Sequence, residues 1–325
     1  MITHLEIENF KSIKHTSFSC ARINLFIGKP NTGKSNLLEA LGLLSHIPYG
    51  NIRQFVRFES MTDLFYDEDV QQEIKIRAKW DSSNIFISIK FREDRFTGCI
   101  ASGEEIFTYG YKGEGRKKEN KKEIFNPFKF YRFKIIYQFP SPSSGFLLPP
   151  HGENLFSILL THKDVRQMIK NMLEEYGLKI TLKMQEKKIE IQKEQDDIII
   201  SHPYSLLSDT FQRIIFHLVA IETNRDSVII FEEPEAHAFP YHTKFLAERI
   251  ALDKKGNQYF ISTHNPYLLL SIIEKAPKED VAIFITTFEN YQTHVKKLSE
   301  EIKEEILEEA LDVFFNIERL VEKEK

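Results

Sequence analysis

Hydrophobic and polar positions change period along the chain, and each change predicts an element. Residues 2–8 alternate apolar and polar side chains and residues 14–20 predict a partner strand, so a hairpin is expected here. Residues 23–27 are mostly apolar, whereas residues 35–47 place leucines on one helical face. A buried strand is therefore predicted to lead into a helix, which should end before the proline and glycine within residues 48–50.

From residue 51 to about residue 140 the pattern changes to short, phenylalanine-rich segments that alternate apolar and polar positions. Strands are predicted at residues 73–80, 84–91 and 128–139. Residues 112–122 are rich in lysine, and two interpretations stay open. They form either a basic finger that contacts nucleic-acid phosphates or a solvated hairpin tip, which the interspersed glutamates favour.

After a cluster of helix-breaking residues at 141–152, helical patterns alternate with short apolar runs. Helices are predicted at residues 154–160, 163–176, 208–224 and 241–252, with a charged helical tail at 299–323. Strands are predicted at residues 178–184, 188–192, 197–201, 228–231, 258–262 and 281–287. The run 228–231 is apolar throughout, as expected for a central parallel strand that is buried on both faces.

The composition limits the class of protein but does not indicate a binding partner. The 325 residues suffice for one large or two ordinary domains, and a net charge of −4 gives no global sign of a nucleic-acid or membrane protein. Cys20 and Cys99 lack metal-ligand spacing and are expected to be reduced thiols of a cytosolic protein. Neither a signal peptide nor an apolar run of roughly 18 residues is recognisable, so secretion and membrane insertion are not expected.

The junction between the apolar strand and the first long helix carries the spacing G-x-x-x-x-G-K-S. Its glycines let backbone N–H groups point into the loop, and the helix that follows adds its positive end, so the loop suits phosphate oxygens. Lys34 would reach the β- and γ-phosphates of ATP, and the Ser35 hydroxyl would ligate Mg²⁺. GTP stays an alternative because the loop binds phosphates rather than bases, although no Asn-Lys-x-Asp motif is present. The expected nucleotide-binding residues are Gly28, Asn31, Thr32, Gly33, Lys34, Ser35 and Asn36.

Two further motifs follow buried strands. Glu232 and Glu233 come directly after the run 228–231, at the end of a strand where α/β sheets bind ligands. Glu232 would support the metal, and Glu233 would be the general base for the attacking water. His264 ends another buried strand within Ser-Thr-His-Asn-Pro and is expected to contact the γ-phosphate or its nucleophile.

With these motifs in this order, the chain resembles ATP-binding-cassette (ABC) type ATPases of the SMC, RecF and OLD branch. The resemblance rests on residues 5–13, the phosphate loop, residues 231–237 and residues 262–266. It implies an α/β P-loop NTPase fold, built as a two-lobed head with a β-rich lobe and a helical lobe. The implied divisions are a nucleotide-binding core at 1–50 and 205–298, a β-rich insertion at 51–140, a helical and β lobe at 141–204, and a helical tail at 299–325.

The same resemblance implies that two heads bind ATP face to face and that His264 is a switch histidine. The signature segment would be residues 206–213, with Ser208 meeting the γ-phosphate bound by the partner. Thr210 stands where the family often has glycine and Glu232 replaces a common aspartate, so fast hydrolysis is not expected. For the Mg²⁺-sensing glutamine of the family, the candidate is Gln138.

The functional expectation is an ATPase that acts as a cytoplasmic homo-oligomer and switches a separate effector, in prokaryotic defence against phage. One alternative is a scaffold that uses bound ATP structurally to cage a partner protein, with little turnover. Another is a DNA-repair ATPase similar to RecF or SMC, with nucleic acid as its partner. Residues 36–227 lack sustained heptads, and no nuclease pattern follows His264, so the head is expected to stand without coiled-coil arms or a nuclease domain.

Overall fold

The computed structural model describes residues 1–80, 84–118, 122–141, 144–308 and 313–323. These parts of the chain form two large sheets, one small sheet and the helices that pack on them. The strands are β1 Ile2–Phe10, β2 Ile13–Ser19, β3 Ile23–Gly28, β4 Ile74–Trp80, β5 Asn84–Arg92, β6 Arg95–Ile100, β7 Glu105–Tyr109, β8 Gly115–Lys117, β9 Phe128–Tyr131, β10 Lys179–Lys183, β11 Lys188–Gln195, β12 Ile198–Pro203, β13 Val228–Glu232, β14 Gln258–Ser262, β15 Val281–Glu289 and β16 Gln292–Lys297. The helices are α1 Lys34–Tyr49, α2 Ile52–Phe55, α3 Leu155–Thr161, α4 Lys163–Glu174, α5 Asp209–Thr223, α6 Pro240–Ala251, α7 Pro266–Lys275, α8 Glu300–Glu308 and α9 Ile317–Lys323.

The first large sheet is antiparallel, with the order β2-β1-β4-β5-β6-β7-β8. The predicted N-terminal hairpin is therefore continuous with the β-rich segment, because β1 pairs with β4 as well as with β2. The small sheet, β10-β11-β12, is also antiparallel and lies in the segment predicted to contain three strands.

The second large sheet has the order β16-β15-β3-β14-β13-β9, and all its neighbours are parallel except β16 and β15. Its register places Phe26, Ser262 and Glu232 side by side. The carboxyl ends of β3, β14, β13 and β9 thus meet at one edge, which is where α/β sheets bind ligands.

Helix α1 is buried between the two large sheets. Its leucines belong to one hydrophobic cluster that also contains Ile7 and Ile76 of the first sheet and Ile230 of the second. Helices α3 to α7 cover the other face of the second sheet, in a separate cluster. Residues 37–47 of α1 are all buried because protein surrounds the helix, and this position holds the N-terminus of α1 fixed against the sheet edge.

Two predicted element bounds are wrong near the second sheet. The strand predicted over residues 128–139 ends at Tyr131, because the Arg132 N–H bonds to the Pro150 carbonyl instead of a neighbouring strand. Helix α1 continues through Pro48 to Tyr49. The Lys117 ammonium donates to the carbonyls of His46 (2.6 Å) and Gly50, and so satisfies a helix end that a proline interrupts.

Two features outside the second sheet also bear on the sequence predictions. The tail predicted as one helix at 299–323 contains α8 and α9, with turns at residues 313–316 between them, because Val313, Ile317 and Leu320 pack into the core. The lysine-rich stretch belongs to a β7–β8 hairpin as far as residue 118, and its residues 119–121 lie outside the described ones. The division into domains stays a prediction.

Candidate active site

The phosphate loop joins β3 to α1, and its lysine is folded back over it. Lys34 is 6% exposed, and its Nζ donates to the carbonyl oxygens of Gly28 and Lys29 at 2.8 Å each. Burial lowers the pKa of the Lys34 ammonium to about 8, and the nearby charge of Glu233 acts in the opposite direction. The ammonium therefore borders the space that the loop encloses, held by two weak acceptors that a phosphate would replace.

Glycine is required at both ends of the loop by close contacts. Gly33 has a φ of 93°, and a Cβ there would lie 2.7 Å from Thr293 Cγ2. A Cβ at Gly28 would lie 2.6 Å from the Thr286 carbonyl oxygen. Thr286 also holds the loop from the side, since its hydroxyl lies 2.6 Å from that of Thr32. Strands β15 and β16 therefore fix the loop.

Asn36 connects the loop to the N-terminal hairpin. Its Nδ2 donates to Ser12 Oγ at 2.7 Å, and Ser12 Oγ lies 2.7 Å from Thr293 Oγ1. The N-terminal motif therefore contributes to the site through Ser12, in the turn between β1 and β2. Asn31 is exposed at the tip of the loop with a φ of 61°, and Ser35 is half-buried in the first turn of α1.

Glu233 and His264 form a pair at the sheet edge. The Glu233 carboxylate lies 3.3 Å from His264 Nε2, and both side chains are partly exposed. The Glu233 N–H donates to the Ser262 carbonyl at 3.0 Å, so the loop after β13 is attached to the end of β14. Burial and the Lys34 charge lower the pKa of His264, while Glu233 opposes them. Burial and the Lys34 charge therefore favour the neutral form of the imidazole.

A buried carboxyl that the sequence analysis did not single out supports this pair. Glu235 Oε1 accepts hydrogen bonds from the Thr263 hydroxyl and from the His264 N–H (3.3 Å), whereas its Oε2 has no partner among the described residues. Burial raises the pKa of Glu235 to about 7, although the two hydrogen bonds act against it and Glu233 adds to it. In the sequence, the signal that could have identified Glu235 is its position directly after Pro234.

Glu232 ends β13 and faces two arginines. Its Oε1 accepts from Arg57 at 3.1 Å and its Oε2 from Arg132 at 3.3 Å. Arg132 directly follows β9, the strand beside β13, whereas Gln138 is exposed in the irregular segment beyond it. Among the described residues no hydrogen bond joins Gln138 to Glu232, and its role as the metal sensor stays a prediction.

The donors at this edge fit Mg²⁺. Ser35 and Glu232 offer hydroxyl and carboxylate oxygen, the ligand type that this ion prefers. In addition, Ser262 Oγ, at the position in register with Glu232, is buried and lacks a partner among the described residues. A metal at Ser35 and Glu232 would compete with Arg57 and Arg132 for the carboxylate.

Ser208 lies at the N-terminus of α5, on the surface. Its Oγ accepts the Phe211 N–H at 3.4 Å, and the neighbouring Thr210 hydroxyl donates to the His237 carbonyl at 2.8 Å. The signature segment is therefore attached to the loop that carries Glu233. Leu206 and Phe239, which flank this contact, are 70% and 69% exposed.

In the described residues, no helix is long and apolar enough to cross a membrane.

The sequence is similar to one protein family and to one curated protein. The sequence model of one family, described as AAA ATPase domain, matches residues 1–210. A curated protein of Helicobacter pylori (strain ATCC 700392 / 26695), named ATP/GTP phosphatase, is 38% identical over 104 residues. That match covers 28% of this chain and 28% of the relative, so the chain matches less than a third of the relative's length.

Solved structures show the fold. The chain is similar to an SmcHead crystallised with the C-winged helix domain of ScpA, with a TM-score of 0.60, 15% identity, and coverage of 93% of this chain and 99% of that one. A second similar structure is an Smc head domain with an extended coiled coil, bound to the C-terminal domain of ScpA from Pyrococcus furiosus. Its TM-score is 0.58 and its identity 14%, and the match covers 95% of this chain and 99% of that one. The predicted α/β P-loop fold of the ABC type is thereby confirmed.

Proposed function

Since the chain belongs to the AAA ATPase domain family, we propose that it is an ATP-hydrolysing switch that pairs with a second copy and controls a separate effector protein. The observation that carries the proposal is the pair Glu233 and His264 at the same sheet edge as the phosphate loop. A half-exposed carboxylate 3.3 Å from an imidazole whose pKa is lowered, beside a buried lysine, is an arrangement suited to orienting water against a bound phosphate.

Each side chain has a role in this proposal. Lys34 leaves the Gly28 and Lys29 carbonyls and binds the β- and γ-phosphates, and Asn31, Thr32 and the loop N–H groups complete the cradle. Mg²⁺, held by Ser35 and Glu232, supplies charge neutralisation at the phosphate oxygens. Glu233 accepts the proton of the attacking water, and His264 holds Glu233 and senses the γ-phosphate. Glu235 fixes the backbone at His264.

Pairing of two copies is proposed because part of the site faces outward. Ser208 is exposed at the N-terminus of α5, and apolar Leu206 and Phe239 flank it. Exposed apolar groups beside an anion-binding helix end suit a surface that closes over a nucleotide held by another copy. In two similar structures an SMC head is bound to a domain of ScpA, which supports a separate protein partner here.

The cellular setting is proposed on narrower grounds. Cys20 and Cys99 are free thiols, which suits the reducing cytoplasm. A role in prokaryotic defence against phage is the setting that the resemblance to the OLD branch favours for a head of this kind.

Phosphate release from Mg-ATP tests the enzymatic part of the proposal. The wild-type protein should release phosphate steadily, and Lys34→Ala should reduce release to background because it removes the ammonium at the β- and γ-phosphates. Lys29→Ala is the matched control, since Lys29 lies in the same loop but pairs with the exposed Glu318. Equal release by wild type and Lys34→Ala would refute the assigned site.

A second candidate is the ATP-bound scaffold with little turnover. It is favoured by the two arginines that hold Glu232, because a metal must compete with them for the carboxylate. The same assay separates the two functions. Bound ATP that persists on the wild-type protein through gel filtration, with phosphate release no faster than that of Lys34→Ala, would support the scaffold.

A further inference from the structure

The buried Glu39 pairs with the same arginines as Glu232, the proposed metal ligand. Glu39, on α1, has a fully buried side chain, yet three cations bind it. Arg57 Nε lies 2.6 Å from its carboxylate, Arg132 lies at 3.0 Å, and Lys11 pairs with the second oxygen. A buried carboxylate is stable only when it is paired in this way.

The carboxylates of Glu39 and Glu232 both pair with the same two arginines. Arg57 contacts Glu39 through Nε and Glu232 through a terminal nitrogen, and Arg132 likewise reaches both. We call Lys11, Glu39, Arg57, Arg132 and Glu232 the charge cluster. Its three positive and two negative groups leave a net charge of +1.

The backbone holds the cluster in place, and one side of the cluster is open to solvent. The Lys11 ammonium also donates to the Arg57 carbonyl at 2.6 Å, and Arg132 is attached through its N–H to the Pro150 carbonyl. Lys11 and Arg57 also line an open cleft of about 820 Å³, together with four carboxylates, those of Glu59, Asp63, Asp67 and Glu68. A solute can therefore reach the cluster at Lys11 and Arg57.

We propose that Glu39 offsets part of the positive charge that Lys11, Arg57 and Arg132 place at Glu232, and that the net charge of the cluster sets how strongly nucleotide binding depends on Mg²⁺. The inference rests on the proposed function. The positive cluster attracts the anionic nucleotide in the absence of metal, and it opposes the binding of Mg²⁺. Removing one arginine charge must therefore strengthen the dependence on Mg²⁺, whereas removing the Glu39 charge must weaken it.

The dependence is measured as a ratio of two dissociation constants. A fluorescent ATP analogue is titrated with each protein in EDTA and again in excess MgCl₂, and the first constant is divided by the second. Chelation of Mg²⁺ by free nucleotide is the same for every variant and cancels between them. The analogue is one that cannot be hydrolysed, so that turnover does not affect either constant.

The variants are expected to move this ratio in opposite directions. Arg132→Gln lowers the cluster charge to zero and should raise the ratio about fivefold, the effect of one unit charge on a divalent ion about 8 Å away in a water-like dielectric. Glu39→Gln should lower it by a similar factor. Arg132→Lys keeps the charge and should stay close to wild type.

The outcomes separate the inference from the function on which it rests. A ratio for Arg132→Gln that is unchanged or lower than that of wild type would overturn the inference while leaving the proposed function intact. A wild-type protein that binds no nucleotide in either buffer would overturn both. If Glu39→Gln does not fold, Arg132→Gln and Arg132→Lys decide the matter, because Arg132 is partly exposed and its charge is the variable tested.

Discussion

Replacing Glu235 by glutamine should stabilise the nucleotide-free protein above neutral pH. The carboxyl is almost fully buried, and one of its oxygens has no partner among the described residues, so burial disfavours its ionised form. A glutamine side chain at this position would have the same shape without the charge, and its carbonyl oxygen would still accept from Thr263 and His264.

The magnitude follows from the pKa. A rise from 4.5 to about 7 corresponds to about 3.4 kcal/mol of stability lost once Glu235 is fully ionised. The amide N–H left without an acceptor costs about 1–3 kcal/mol, so the net gain of Glu235→Gln is about 1–2 kcal/mol. The folded state binds more protons than the unfolded state between pH 4.5 and 7. Wild-type stability therefore falls as pH rises through that window.

Urea unfolding of wild type and variant at pH 5, 6, 7 and 8 measures this difference. The free energy of unfolding of Glu235→Gln should exceed that of wild type at pH 8, and the gap should close or reverse towards pH 5. Glu301→Gln, at an exposed position of α8, is the control and should leave the unfolding midpoint unchanged. A Glu235→Gln protein less stable than wild type at pH 8, or a gap independent of pH, would refute the reasoning.

Three further predictions concern the catalytic and phosphate-binding residues. Glu233→Gln should bind Mg-ATP with an unchanged dissociation constant and lower phosphate release by about 10²–10⁴-fold, because it removes the general base; undiminished release would reject that role. Gly33→Ala should abolish nucleotide binding and lower the free energy of unfolding by at least about 2 kcal/mol, because its φ of 93° and its contact with Thr293 exclude a Cβ; calorimetry and nucleotide titration check both effects. Ser208→Ala should leave the dissociation constant for ATP unchanged in dilute protein but reduce ATP-dependent pairing, and unchanged pairing in sedimentation would contradict the assignment.

The phosphate loop and the ends of β13 and β14 were predictable because their chemistry is contiguous in sequence. Gly28 to Ser35 are eight consecutive residues with the spacing G-x-x-x-x-G-K-S, and Glu233 follows an apolar strand directly. Helix α7 was missed, although Asn265 caps it and Pro266 occupies its first turn, a pattern that the sequence displays.

The charge cluster was not predictable from the sequence. Glu39 occupies one position in a helix whose pattern is amphipathic, and a glutamate there is expected to face solvent. Only the packing of α1 between two sheets buries it, and only the ends of α2 and β9 bring Arg57 and Arg132 to it. Arg132 at Glu232 was missed for the same reason, since strand length, which periodicity predicts poorly, decides which residue follows β9.

The switch is tested most directly by the molar mass of Glu233→Gln, measured by light scattering with and without Mg-ATP. Because this variant should bind ATP and not hydrolyse it, an ATP-dependent pair should accumulate. The predicted result is a doubling of the mass on addition of Mg-ATP, which Ser208→Ala in the same background reduces. A mass that does not change with Mg-ATP, in a protein shown to bind it, would contradict the switch.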